Sequence, residues 1–294
     1  MPTTIPTPGA HAARQTDERG AERHAEHAAA TVMTFNLRRP SWLDGANAWR
    51  YRKAAAADAV LAAAADFVGT QEGSKAMLLE LTARLPSYAW LGEGRRGGER
   101  DETNAILYRE DRWAVEASGT FWLSETPERA GSRSWGAAFP RICTWALFRA
   151  RRGPAATVAV FNAHLDHISR TARTRGAALA AARLLELRGR TGAPAALIGD
   201  FNAGPRSEAV AQLALPPYGL ASAYEAFPGG PAAVGATYHG FRGGGGLRGE
   251  PIDVIFATAE CDFEAASVDR GKYRNRYPSD HYPVSARIRW PVRK

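Results

Sequence analysis

The feature that most restricts how this chain can fold is a recurrence of short apolar runs, each too short for a helix and most ending beside a polar residue able to do chemistry. Runs at residues 32–37, 67–70, 104–108, 142–149, 157–163, 195–199, 252–257 and 283–288 read as strands. Between them, the proline-free stretches 51–65 and 171–188, rich in Ala, Leu and Arg, read as helices covering sheet faces. Alternating strands and helices predict an α/β domain. A chain of 294 residues, 45% of them hydrophobic, has enough apolar mass for one large core.

The residues at the strand ends matter most. Asn36 closes the run at 32–35, Glu72 follows 68–71, and His164, Asp166 and His167 follow 158–163. Asp200 and Asn202 follow 196–199, Asp253 sits inside 252–256, and Asp280 and His281 precede 282–284. Strand ends bring residues distant in sequence into one cleft. Taken singly, an Asp or Asn after a strand is commonly a turn former or helix N-cap. Asp253 is different, because a carboxylate in an apolar strand is costly to bury alone. His281 is its expected partner, an arrangement that fixes the imidazole tautomer and leaves the other ring nitrogen free to act. A cation to neutralise charge, a group to orient water and a donor to the leaving group are what phosphoester hydrolysis requires. Carboxylate and amide oxygens without a cysteine cluster suit Mg²⁺ or Mn²⁺, with Glu72 the leading ligand.

The formal charge of +8 and a pI near 9.8 favour polyanionic partners, although an excess of Arg, Ala and Gly also fits compositional drift in a GC-rich genome. Cys143 and Cys261 form no C-x-x-C pair, which argues against a disulfide framework or zinc ribbon and fits a reducing cytoplasm. Neither a signal-peptide core nor a membrane span of about 20 apolar residues is readable. Residues 1–30 are polar and poor in large apolar side chains, and are expected to be a disordered leader before a catalytic domain at 31–294. A flexible loop is expected at 243–246.

At these residues the sequence resembles the endonuclease/exonuclease/phosphatase family. Thr34-Phe35-Asn36-Leu37, Gln71-Glu72, Asn162-Ala163-His164-Leu165, Gly199-Asp200-Phe201-Asn202, Ile252-Asp253 and Ser279-Asp280-His281 occur in the family's order across nearly all of 31–290. Phe161 to His167, the following arginines and Tyr277 to His281 look like small bacterial homologues of its deadenylase-type branch. The resemblance implies a four-layer α/β sandwich of two packed mixed sheets flanked by helices. It makes Glu72, Asn36 and Asp280 the metal ligands, and Asp200 with Asn202 the pair that positions water. His281, oriented by Asp253, would contact the phosphoryl group, and His164 a nonbridging oxygen or the leaving group. Asn36, His167 and the guanidinium groups of Arg141, Arg170 and Arg173 are candidate substrate contacts, with solvated arginines the plainer alternative.

The implied activity is metal-dependent hydrolysis of a phosphate mono- or diester, by a monomer acting on a phosphorylated small molecule or on nucleic acid. Trp42, Trp49, Tyr238 and Phe241 are candidate stacking surfaces, or core and rim aromatics. The Gly-rich basic loops 95–100 and 240–248 are placed to border the cleft or merely to connect elements. A scaffold retired from catalysis would have had no need to keep Asn36, Glu72, Asp200, Asn202, Asp253 and His281 together.

Overall fold

In the computed structural model, which describes residues 27–243 and 249–292, the apolar runs are assembled into two six-stranded sheets. The first has the order β11 (Asp262–Val268), β12 (Val284–Pro291), β1 (His27–Asn36), β2 (Phe67–Gln71), β4 (Ile106–Arg109) and β3 (Tyr88–Leu91). The second has β5 (Trp113–Trp122), β6 (Ile142–Ala150), β7 (Thr157–His164), β8 (Ala195–Asp200), β10 (Asp253–Ala257) and β9 (Ala221–Ser222). Both sheets are mixed. Strand β1 runs parallel to β2 but antiparallel to β12, and β7 runs parallel to β8 but antiparallel to β6.

Alternation along β1 sorts side chains between two cores. Val32 joins Ile198, Val254 and Phe161 between the sheets, while Met33 and Phe35 point outward into a second cluster. That cluster is closed by α1 (Trp49–Ala63) and α2 (Lys75–Thr82) through Val60, Met77, Leu78 and Leu81. Helix α3 (Arg170–Thr191) covers the other sheet with Ala177, Ala180, Ala181 and Leu184. Ser169 caps its N-terminus by accepting from Ala172 N, and Gly192, at φ 68°, ends it in the left-handed region. A short α4 (Glu208–Ala211) packs beside it. Strands covered on both faces are buried along their whole length and read as near-continuous apolar runs, which is why β2 and β8 stand out in the sequence up to their polar ends.

A polar bridge joins the sheets beneath the strand ends. Gln71 Nε2 donates to Asn162 Oδ1 at 2.7 Å, and Asn162 Nδ2 donates to Thr70 O and Ala105 O, both at 2.9 Å. Gly69 makes room for it: a Cβ there would lie 2.6 Å from Ile198 Cδ1 and 2.8 Å from Asn162 Cγ.

The structure extends the sequence reading in several places. Helix α2 and strands β3, β5, β9 and β11 were not expected. Strands β5 and β11 are sheet edges whose middle residues are largely exposed, so they lack the apolar run that marks an inner strand. Residues 27–30, assigned to the leader, pair with 288–291 as the start of β1. The remainder of the leader, residues 1–26, and the glycine loop at 244–246 lie outside the described residues. Both cysteines are buried and unpaired. Among the described residues no helix is long and apolar enough to cross a membrane.

Candidate active site

Strand pairing explains why one end of the sandwich collects the polar residues. Parallel β1 and β2 end together, placing Asn36 beside Gln71, the residue before Glu72. Parallel β7 and β8 also end together, with His164 opposite Asp200, and antiparallel β10 begins at that level with Asp253 opposite Asp200. Strand β12 runs against β1, so the loop carrying Asp280 and His281 enters at the same end. Two of these residues take left-handed backbone, Glu72 at φ 62° and Asn202 at φ 49°, turning each chain sharply out of its strand.

Asn36 Nδ2 donates to Asp200 Oδ2 at 2.9 Å and Glu72 Oε1 at 3.2 Å, joining the two sheets' carboxylates. Glu72 Oε2 accepts from Arg39 N at 2.9 Å. Asp200 Oδ1 accepts from Asn202 N at 2.9 Å, and Asn202 Nδ2 donates to Leu165 O at 3.1 Å. His281 Nδ1 lies 2.9 Å from Asp253 Oδ2, while its Nε2 lies 3.8 Å from Asp200 Oδ2. His164 Nε2 approaches the same Asp200 oxygen from the other side, at 3.7 Å. The hydroxyl of buried Tyr224 donates to the backbone oxygen of Asp253.

Environment separates the protonation behaviour of these groups. Burial and the nearby Asp253 carboxylate push Asp200 up to about 7. Burial works against the charged form of His281, but Asp253 and Asp200 outweigh it and raise the ring to about 10. His164, buried and facing Arg141 and His281, is driven well below the usual histidine value and is neutral. For Glu72 burial is overcome by hydrogen bonds from Arg39 N and Asn36, so its acidity increases, whereas Asp280 is raised chiefly by burial.

These groups line a cleft of about 480 Å³. Its wall includes Glu72, His164, Asp200, Asn202, Asp280, His281, Arg141 and His167 from the expected set. Asn36 and Asp253 stand directly behind it, holding Glu72, Asp200 and His281 in place. Arg170 and Arg173 do not belong to the cleft. Arg170 extends into solvent toward Glu208 at 3.8 Å, and Arg173 Nη1 is spent on Asp166 O at 3.0 Å. Of the candidate stacking aromatics, only Tyr238 lines the wall. The sequence reading did not single out Arg38, Arg39, Glu102 and Phe139, which line it too. Arg95 lies in the basic loop expected to border the cleft, and Arg38 and Arg39 follow the Asn36 motif directly.

Among the described residues, the Asp, Glu, His and Cys side chains whose ligating atoms gather within 4.8 Å are Asp200, Asp253 and His281. Asn36 connects Glu72 to that group, and Asp280 adjoins His281. The candidate ligands Asn36, Glu72 and Asp280 offer oxygen without thiolate, a donor set that fits a hard divalent cation. The lining has four arginines (38, 39, 95, 141) and four carboxylates (72, 102, 200, 280), together with the charged His281 ring.

A two-sheet sandwich with carboxylates, amides and imidazoles at its strand ends has the parts that phosphoester hydrolysis requires. Residues 33–281 match the Endonuclease/Exonuclease/phosphatase family, and the chain belongs to it. Members of this family generally depend on a divalent metal. An endonuclease/exonuclease/phosphatase family protein of Bacteroides thetaiotaomicron is 30% identical and superposes with a TM-score of 0.83, covering 91% of this chain and 100% of its own. A mannosyl-6-phosphatase from the same organism is 32% identical with a TM-score of 0.79, covering 88% and 99%. The human Nocturnin catalytic domain, 17% identical over 89% of this chain and 94% of its own with a TM-score of 0.65, shares the fold. The comparison with curated proteins gave no match.

Proposed function

We propose that the protein hydrolyses phosphate monoesters of small organic alcohols with the aid of a divalent cation such as Mg²⁺ or Mn²⁺. The observation that carries this reading is the convergence of two imidazoles on one buried carboxylate oxygen. Asp200 Oδ2 lies 3.7 Å from neutral His164 and 3.8 Å from cationic His281.

Asp200, raised to about 7, has the affinity of a base that takes a proton from water near neutral pH. Asn202 fixes its orientation through the backbone amide. His281, charged and held by Asp253, donates from Nε2 to a phosphoryl oxygen, and His164 donates as a neutral imidazole. Glu72 and Asp280 would hold the cation with the Asn36 amide oxygen, whose second lone pair remains after Arg38 N takes the first. When bound, the cation neutralises charge on the phosphoryl and leaving oxygens.

Charge pairing favours a small ester over nucleic acid. Many surface arginines are answered by acids: Arg170 by Glu208, Arg183 by Glu128, Arg188 by Glu260 and Arg274 by Asp58. Guanidinium groups paired in this way offer less uncompensated charge to a nucleic-acid backbone. The activity in the name of the mannosyl-6-phosphatase relative is of the same class. The test is phosphate release from small monoesters, small diesters and a single-stranded oligonucleotide, with Mg²⁺, Mn²⁺ or EDTA. Metal-dependent monoester turnover lost in Glu72→Gln is expected. Preferential cleavage of the oligonucleotide, or equal rates for wild type and Glu72→Gln, would overturn the reading.

A further inference from the structure

One wall of the cleft is built more elaborately than phosphate binding requires. Arg95, 5% exposed, donates from Nη1 to Glu102 Oε2 at 2.8 Å, and its Nε lies 3.1 Å from Asp101 Oδ2. Its guanidinium carbon sits 4.8 Å from the centre of the Phe139 ring, which stacks on His167 at 6.0 Å. His167 Nδ1 accepts from Arg141 Nη2 at 2.8 Å. The other Glu102 oxygen, Oε1, lies 3.6 Å from Arg39 Nη1. The buried Nε of Arg141 has no hydrogen-bond acceptor among the described residues.

We infer that Arg95, Glu102, Phe139, Arg141 and His167 form the subsite for the leaving group, and that this group is a polyhydroxylated alcohol such as a sugar. This rests on the phosphomonoesterase reading and adds the identity of the alcohol. Arg95 already faces the Asp101 and Glu102 carboxylates, so a second phosphate would gain little uncompensated charge from it. A carboxylate fixed beside a guanidinium instead presents an acceptor next to a donor. Adjacent hydroxyls, each both donor and acceptor, match that pairing. Phe139 has Arg95 and His167 against its ring, so it has less free surface to offer a nucleobase.

The experiment compares kcat/KM for a hexose 6-phosphate, p-nitrophenyl phosphate and a nucleoside 5′-monophosphate in wild type and Glu102→Gln. Wild type should favour the hexose ester, and Glu102→Gln should lower the hexose-to-nitrophenyl ratio about tenfold or more, because a site built for hydroxyls discriminates through paired polar groups. An unchanged ratio, or a wild-type preference for the nucleotide, overturns the subsite while leaving the hydrolase reading intact. If no ester is turned over, the hydrolase reading fails by itself. Calorimetric titration with the hexose phosphate then decides the subsite: a Kd weakened about tenfold in Glu102→Gln supports it, and an equal Kd overturns it. Phe139→Leu serves in the same comparisons if Glu102→Gln does not fold.

Discussion

Replacing Gly69 by alanine tests whether the two sheets must approach closely for the site to form. A Cβ at this position would sit 2.6 Å from Ile198 Cδ1, 2.8 Å from Asn162 Cγ and 2.9 Å from Asn162 Oδ1. The isoleucine methyl can swing away. Asn162 is held by one hydrogen bond at its oxygen and two at its nitrogen, so moving it breaks the bridge to Gln71, Thr70 and Ala105. Overpacking a filled core costs about 1–3 kcal/mol, and each buried polar group left unpaired costs about 1–3 kcal/mol more. A loss of roughly 2–6 kcal/mol corresponds to a fall in Tm of roughly 4–12 °C for a domain of this size. Thermal unfolding followed by circular dichroism reads it directly. The double variant Gly69→Ala with Ile198→Val should recover only the share of the loss that belongs to the isoleucine. A Tm within about 1 °C of wild type for the single variant would show that the sheets are not held at this spacing and refute the argument.

Arg52, buried at 1% exposure, donates to the backbone oxygens of Leu37, Arg38, Asn47 and Pro278, clamping the loops that follow Asn36 and precede Asp280. Lysine cannot reproduce that fork, so Arg52→Lys should lose about 2–4 kcal/mol in urea unfolding with m unchanged; a loss below about 0.5 kcal/mol would show that the clamp is dispensable. The His281 pKa is raised from 6.5 to about 10, so its contribution to stability is whole below pH 6.5 and is lost as pH climbs through about 10. Asp200, a carboxyl raised from 3.8 to about 7, makes stability decline as pH rises from 3.8 through about 7. Urea titrations in EDTA should therefore show stability falling from pH 6.5 to 10, with the slope flattened in Asp253→Asn. Stability that rises over that range, or an identical slope in the variant, would contradict it.

How much of this was legible depends on where each residue gets its position. The paired strand ends were readable because β1, β2, β7 and β8 are buried on both faces and stand out as apolar runs, so Asn36, Glu72, His164 and Asp200 inherit their places from the sheet register. The Asp253–His281 contact, expected from the cost of burying a lone carboxylate, is present at 2.9 Å. The cleft wall at Arg95 and Glu102 was far less legible. Arg95 and Glu102 are brought together by a loop whose shape comes from backbone pairing, Arg95 N to Glu102 O at 2.8 Å and Thr103 N to Gly73 O at 2.7 Å. No periodicity reports such contacts.

The arginines show the same limit from the opposite side. Arg141, Arg170 and Arg173 are alike in sequence terms, yet Arg141 is 6% exposed at the cleft wall while Arg170 reaches a surface glutamate. What separates them is secondary structure. Arg141 immediately precedes β6, an inner strand of its sheet, and is carried into the cleft, whereas Arg170 opens α3 with its side chain toward α4. Net charge is insensitive to this distinction, because it counts a guanidinium equally whether an acid faces it or not. The +8 of the whole chain and the pairing of Arg95 with Asp101 and Glu102 at the cleft are therefore compatible. The local pairing is what a substrate meets, and it supports the proposed small ester, its phosphate received with a cation and its alcohol recognised by hydrogen bonds.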